Sequence, residues 1–381
     1  MKKLFWVCVL GIVYFSLYPW TFHPLGAPVT RPLEVWQPFV ARSQYLDVVA
    51  NFFFYMPLGM FGVLAWCGLK PGWRRWAAVG AAGAALSLTL ETAQAWIPSR
   101  DSSALDVVVN TLSTIAGIWI GAAIGRLRPD GVGGKALTLS RPMPLALAAA
   151  WLVAQCFPFL PVMRVRLLRD SVAQMLRVSD LSWLNLVGAF VGCLLLSYIL
   201  RVLLEKSTWR VALIVAFLVF PLRVFLQGAA VSWPYLVAAA LAFGFASRAF
   251  SRPSAAGAGL LAWLALLLIT VNEFYPLALA DAPVPFLWTP FAGFLEANRD
   301  AAIRVVLAKF FLYGSAVWAL REGGLPLWMS TGLVTVLLAV SEAAQCYLPG
   351  RVPESTDPLL ALAAGVLMVW LKDRPRTRRI G

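Results

Sequence analysis

Residues 183–204 read WLNLVGAFVGCLLLSYILRVLL, 22 residues with a single charge, Arg201, near one end. A helix of that length reaches about 33 Å, and a bilayer's hydrocarbon core is about 30 Å thick. Lipid gives backbone N–H and C=O groups no partners, so such a stretch must form a helix or part of a closed barrel. Barrel strands alternate apolar and polar residues over about 10 positions. This stretch does neither, and it reads as a membrane-crossing helix.

The same pattern recurs along the chain. Apolar runs extend from Leu4 to Phe22, Val48 to Leu69, Trp76 to Ile97, Leu105 to Gly125, Pro144 to Met163 and Trp183 to Leu204. Further runs extend from Trp209 to Ala229, Val231 to Phe250, Gly257 to Ala280, Val305 to Leu320, Leu325 to Leu348 and Asp357 to Leu371. The fold expected is therefore all-α, a polytopic transmembrane bundle of about twelve spans. Composition agrees: 13% of the residues are charged, against about 25% in soluble chains. The run after Lys2 and Lys3 has no clean small-residue cleavage site and is read as a retained first span rather than a signal peptide.

The net charge of +14 does not indicate a nucleic-acid partner, because the basic residues are scattered between apolar runs. With both termini in the cytoplasm, twenty of the 32 Lys and Arg residues fall on the inner side, the bias expected of inner-membrane proteins. Arg164, Arg166, Arg169 and Arg177 dissent, since this topology puts residues 164–182 outside. An amphipathic surface helix there would soften the conflict. Neither the five scattered cysteines nor the lone His23 has metal-ligand spacing, so no metal or cofactor is expected.

An internal repeat organises the chain. Trp36-Gln37-Pro38-Phe39 aligns with Trp288-Thr289-Pro290-Phe291, and Phe52-Phe53-Phe54-Tyr55 with Phe310-Phe311-Leu312-Tyr313. Glu91-x-x-Gln94-x-x-x-Pro98-x-Arg100 aligns with Glu342-x-x-Gln345-x-x-x-Pro349-x-Arg351, and Asp106 and Asp357 follow six residues beyond each Arg. A weaker unit lies between. The reading is three tandem four-helix units, 1–135, 136–255 and 256–381. An even number of spans per unit gives all three the same orientation.

The polar residues inside these runs are the candidate site. Glu91 and Gln94 share a helix face, as do Asp106 and Asn110. The turn 98–103, with Arg100, joins their helices, and Asn51 reaches similar depth from the preceding one. A carboxylate in an apolar span needs a partner, and Arg100 or Gln94 is the expected one for Glu91. The second copy keeps Glu342, Gln345, Arg351 and Asp357, and Lys309 replaces Asn51. Lys309 is expected beside Glu342 or Asp357, as an ion pair or as half of an anion pocket with two cations. Asn272-Glu273 places another acid in an apolar run.

Asn51 with Pro57-Leu58-Gly59, Glu91-Thr-Ala-Gln94 with Pro98-Ser-Arg100, and Asp106 with Asn110 and Gly117 resemble the VanZ-like family. The resemblance covers residues 5–125 and returns in 270–370 with Lys309, Ser315 and Ala361 at the positions of Asn51, Pro57 and Asn110. It implies a small multi-span protein of the bacterial cell envelope, and the family takes its name from a member linked to resistance to the glycopeptide teicoplanin. It supplies no reaction.

Three functions compete. The first is a non-enzymatic membrane protein that binds a lipid-linked cell-wall precursor or a glycopeptide at its outer face, with membrane lipids as its surroundings. The second is a lipid or drug transporter. The third, an integral-membrane enzyme on envelope lipids, lacks a nucleophile motif, a nucleotide loop and a metal set. The bland alternative to all three is an interhelical polar clasp, since such bonds contribute about 0.6 kcal/mol each on average in membranes.

Overall fold

A computed structural model describes residues 2–18, 20–22, 42–66, 72–98, 102–126, 141–157, 162, 165–177, 182–204, 208–226, 231–275, 277–293 and 299–373. Among them stand thirteen α-helices, one 3-10 turn and an isolated bridge between Leu287 and Glu354. The chain divides into two compact units, Met1–Ala136 and Leu137–Gly381.

The first unit holds α1 (Lys2–Leu17), α2 (Arg42–Trp66), α3 (Trp73–Gln94) and α4 (Ala104–Arg126). Glycines set its closest pairing. A Cβ on Gly59 of α2 would run into the Thr114 carbonyl of α4, and one on Gly117 of α4 into the Met56 carbonyl of α2. Gly121 meets the Met60 carbonyl in the same way. In lipid no hydrophobic force drives helices together, so association depends on such backbone approach. Pro57 breaks the α2 hydrogen-bond ladder, and the Ser113 hydroxyl donates to the Phe52 carbonyl just ahead of it. Ile12, Leu17, Tyr55, Leu58, Leu90 and Ile97 form the core at one end of the unit. Val63, Val79 and Ile118 form a smaller core.

The second unit holds α5 (Pro142–Cys156), α6 (Val165–Leu176), α7 (Trp183–Leu203), α8 (Thr208–Leu222), the 3-10 turn Arg223–Phe225, α9 (Trp233–Ala249), α10 (Ala255–Phe274), α11 (Arg299–Glu322), α12 (Leu327–Gln345) and α13 (Thr356–Trp370). One continuous core runs through it. Its centre is α11, which packs on α5, α10, α12 and α13 and buries Tyr313 and Trp318 completely.

The two ends of this unit differ in chemistry. At one end Arg141 pairs with Glu322 at 3.0 Å and Arg321 with Asp373 at 3.4 Å, while the Arg201 guanidinium donates to the Ser251 carbonyl at 3.0 Å. At the other end the Trp183 and Tyr275 rings meet edge-on at 6.3 Å. There an extended segment, 277–288, crosses the α12–α13 turn. Ala280 and Val284 N–H donate to the Tyr347 and Cys346 carbonyls at 2.8 Å, and Leu287 N–H to the Pro353 carbonyl at 2.9 Å.

Among the described residues, five helical stretches are long and apolar enough to cross a membrane: Ala104–Ala122, Trp183–Leu203, Ala255–Phe274, Ala302–Glu322 and Leu327–Gln345. Leu4–Leu17, Phe54–Trp66, Pro142–Cys156 and Thr356–Trp370 are shorter apolar helices. Leu241, Leu260, Trp263, Leu267 and Val336 are exposed on their helices, as side chains facing lipid would be.

Several expected ends move. The run expected from Leu4 to Phe22 is helical only to Leu17, and Trp20 takes a positive φ of 65°. The run expected from Gly257 to Ala280 stops at Phe274. Pro276 follows, and residues just before a proline disfavour helix. The run from Trp209 tightens into a 3-10 turn directly after Pro221. Residues 165–176, on the dissenting arginine-rich stretch, form a separate amphipathic helix with no buried residue.

Candidate polar sites in the two units

In the first unit α3 carries an inward stripe of Gly83, Ser87, Glu91 and Gln94, all buried. Glu91 Oε2 accepts a hydrogen bond from the Ser103 backbone N–H at 3.0 Å. It thereby closes the turn between α3 and α4. Ser103 in turn precedes α4, and its hydroxyl lies 3.4 Å from the Asp106 N–H. Ser103-x-x-Asp106 is a capping arrangement, and Asp106 complements the partial positive charge of a helix start. Gln94 Nε2 donates to the Ser16 carbonyl of α1 at 2.9 Å. The expectation that Gln94 serves Glu91 is corrected: its amide is spent on an α1 carbonyl at the end of that helix, where backbone acceptors lack partners. Arg100 lies outside the described residues.

Asn110 is 2% exposed, its Nδ2 donates to Ser87 Oγ at 3.0 Å, and its Oδ1 has no partner. Asn51 is half-buried on α2, one turn from Tyr55, which is buried beside Ser87 and Ser16. Glu91, Asp106, Asn110 and Tyr55 thus gather where α2, α3 and α4 meet. Tyr55 enters the sequence reading only as a repeat position aligned with Tyr313, and Ser87 and Ser103 do not enter it as site residues. Tyr55 lies four residues beyond Asn51, on the same helix face, and that spacing was the available signal.

Beside this cluster an apolar groove of about 390 Å³ runs along α3 and α4. Trp76, Gly80 and Ala84 line it from α3, and Thr111, Ile115 and Trp119 from α4. One end of it, at Ala84 and Thr111, lies about one turn from Ser87 on α3 and next to Asn110 on α4.

In the second unit the cluster is denser. Lys309 Nζ on α11 lies 2.7 and 2.9 Å from the two Asp357 oxygens at the start of α13. The Tyr313 hydroxyl, one turn along α11, lies 2.8 Å from Asp357 Oδ2 and 3.0 Å from Glu273 Oε1 of α10. Gln345 Nε2 of α12 donates to Glu273 Oε2 at 2.6 Å. Glu342 Oε2 accepts from the Glu354 N–H at 2.9 Å. That bond spans twelve residues, as the Glu91–Ser103 bond does.

Glu273, Glu342 and Asp357 are all buried, and each offers an oxygen within 4.8 Å of the others. Such spacing suits a cation. The resident cation is the Lys309 ammonium, which already engages both Asp357 oxygens. The expectation of a pocket with two cations is corrected. Arg351 donates instead to the Tyr275 carbonyl at 3.2 and 2.6 Å and to the Asn272 carbonyl. The last carbonyls of α10 lack helical partners, and a guanidinium fork satisfies several at once. Outside the helices, Glu354 Oε2 accepts from the Gly293 N–H at 3.1 Å, and burial lifts its carboxyl above the usual range. The sequence reading names Tyr313 only as the repeat partner of Tyr55, and Glu354, a loop acid, not at all.

Lipid-facing helices that close a buried polar cluster at one end define a helical membrane protein of the bundle class. Residues 5–125 match the family model VanZ/LLP1. The matched stretch coincides with the first unit's four helices. No curated protein and no solved structure matches the chain.

Proposed function

We propose that the VanZ-like unit binds an amphiphilic, lipid-linked ligand of the bacterial envelope. The observation that carries this is the adjacency of the Trp76–Trp119 groove to the Glu91–Asn110 cluster. The groove takes an apolar tail. The cluster takes a polar head, for which Asn110 Oδ1 offers a buried acceptor without a partner. In this reading the chain is a multi-pass protein of the inner membrane with about twelve spans in three tandem units. Both termini are cytoplasmic, and the 98–103 turn faces outward. Tolerance of teicoplanin-type glycopeptides is the cellular trait that such binding to a cell-wall precursor would produce.

The test is photo-crosslinking of reconstituted protein with a diazirine-bearing polyprenyl phosphate. Adducts are expected in residues 76–84 and 111–119, lost in Ala84→Trp and reduced in Glu91→Gln. Adducts spread evenly over all lipid-facing helices would end the proposal. A deletion strain complemented with the same variants reads out glycopeptide tolerance.

The network of the second unit favours a second reading, transport. Lys309, Asp357, Tyr313 and Glu273 chain ionisable groups from three helices inside an apolar bundle, an arrangement typical of ion and substrate paths. Movement of a labelled polyprenyl lipid between vesicle leaflets, abolished by Asp357→Asn, would establish it. A binding-only protein would leave the leaflets unmixed.

A further inference from the structure

We infer that α6 lies flat in the headgroup layer of the bilayer at the aromatic end of the second unit and binds anionic lipid there. The helix has twelve residues, a length of about 18 Å, too short to cross the membrane. Val165, Leu168, Val172, Met175 and Leu176 share one face. Among the described residues most of it is left uncovered: Val165 is 84% exposed, Leu176 67% and Val172 42%. Arg166, Arg169 and Arg177 are exposed in a row along the polar side. An apolar face edged by arginines is the pattern of a helix lying in the membrane plane.

Its place in the fold identifies what covers it. The helix follows the end of α5 opposite Arg141 and precedes α7 at Trp183, so it sits where the bundle's side chains change from aliphatic to aromatic. Trp183, Trp233 and Trp288 are exposed at that level, as are Leu277 and Leu279 of the extended segment. Such a belt marks the membrane–water boundary. The helix is anchored to that boundary: the Val162 N–H donates to the Phe225 carbonyl at 2.8 Å just before it, and its own side packs on the Arg223–Phe225 turn. The apolar face then meets acyl chains and the arginines meet phosphates. Each basic residue near an anionic surface favours binding by about fivefold.

Two measurements on the full-length protein test this. The first uses nanodiscs of phosphatidylcholine and phosphatidylglycerol in equal parts, with spin labels at Val172→Cys or Asp170→Cys after replacing the five native cysteines by alanine. The Val172 label is expected to be relaxed by oxygen and the Asp170 label by a water-soluble nickel chelate. A Val172 label reached by neither reagent would show a protein partner, such as a second copy. One reached only by the chelate would show a helix standing in water. Either result overturns the proposal. The second keeps the native cysteines and counts lipid co-purified in mild detergent. The triple variant Arg166→Ala, Arg169→Ala, Arg177→Ala is expected to retain phosphatidylglycerol over phosphatidylcholine at least about fivefold less than the parent. Equal retention would remove the anionic-lipid assignment.

Discussion

Lys309 holds Asp357 through both carboxylate oxygens, at 2.7 and 2.9 Å, where the aligned positions of the first unit carry Asn51 and Asp106. Asp357 is fully buried, with Glu273 and Glu342 close by. Removing the ammonium strands a buried carboxylate among others. Lys309→Met is expected to cost about 3–5 kcal/mol, read as a fall in detergent melting temperature. The double variant Lys309→Met, Asp357→Asn should recover most of that loss. Equal melting of Lys309→Met and the parent would mean that the pair adds nothing.

Glu91 serves the backbone through Oε2, which accepts from the Ser103 N–H. Glutamine keeps an oxygen there and alanine does not. Glu91→Gln should stay within about 1 kcal/mol of the parent, and Glu91→Ala should lose about 1–3 kcal/mol through an unpaired buried donor. Chemical denaturation of the two separates the fold role from the ligand role. A Glu91→Gln protein that melts normally but fails to crosslink polyprenyl phosphate assigns the carboxylate to the ligand.

Gly59 and Gly117 lie against the partner helix's backbone, whereas Gly11 of α1 has open space where a Cβ would go. Gly59→Leu or Gly117→Leu should each cost about 3 kcal/mol or more, because carbonyl groups cannot yield as side chains do. Gly11→Ala should be neutral or stabilising by up to about 1 kcal/mol. Thermal melts of the three variants check the contrast.

Asp373 follows α13 beyond the spans, and burial pushes its carboxyl up to about 6, against the opposing pull of Arg141 and Arg321. A carboxyl with a raised folded pKa keeps the folded protein more protonated than the unfolded one. Stability from this group is therefore full below about pH 4 and falls as pH rises toward 6. The stability of the parent relative to Asp373→Asn should drop by on the order of 1–3 kcal/mol across that window. A flat difference between pH 4 and 7 would refute it.

The helical class was legible because membrane spans announce themselves by length and apolarity alone. The polar residues of α3 and α4 were legible because Glu91, Gln94, Asp106 and Asn110 interrupt runs that otherwise carry no charge. Their partners were not. Ser103 acts through its backbone N–H, and Ser16 through its carbonyl, and neither group has a sequence signature. Arg351 was placed by its charge, yet the unpaired carbonyls at the end of α10 claimed it. Tyr313 was hidden because a phenol in an apolar run looks the same whether it faces lipid or three acids. The groove was unreadable because it depends on which faces of α3 and α4 meet.

The glycine contacts between α2 and α4 have a mechanical consequence. Two backbones in atomic contact cannot slide past one another without first separating, so this pair acts as a fixed keel. A tail that widens the groove must then push α3, whose groove wall beyond Trp76 is alanine and glycine. Glu91 rides on α3 and grips the turn leading into α4. Occupancy of the greasy channel would thus tug on the polar rim, coupling what sits within the lipid to what the rim presents.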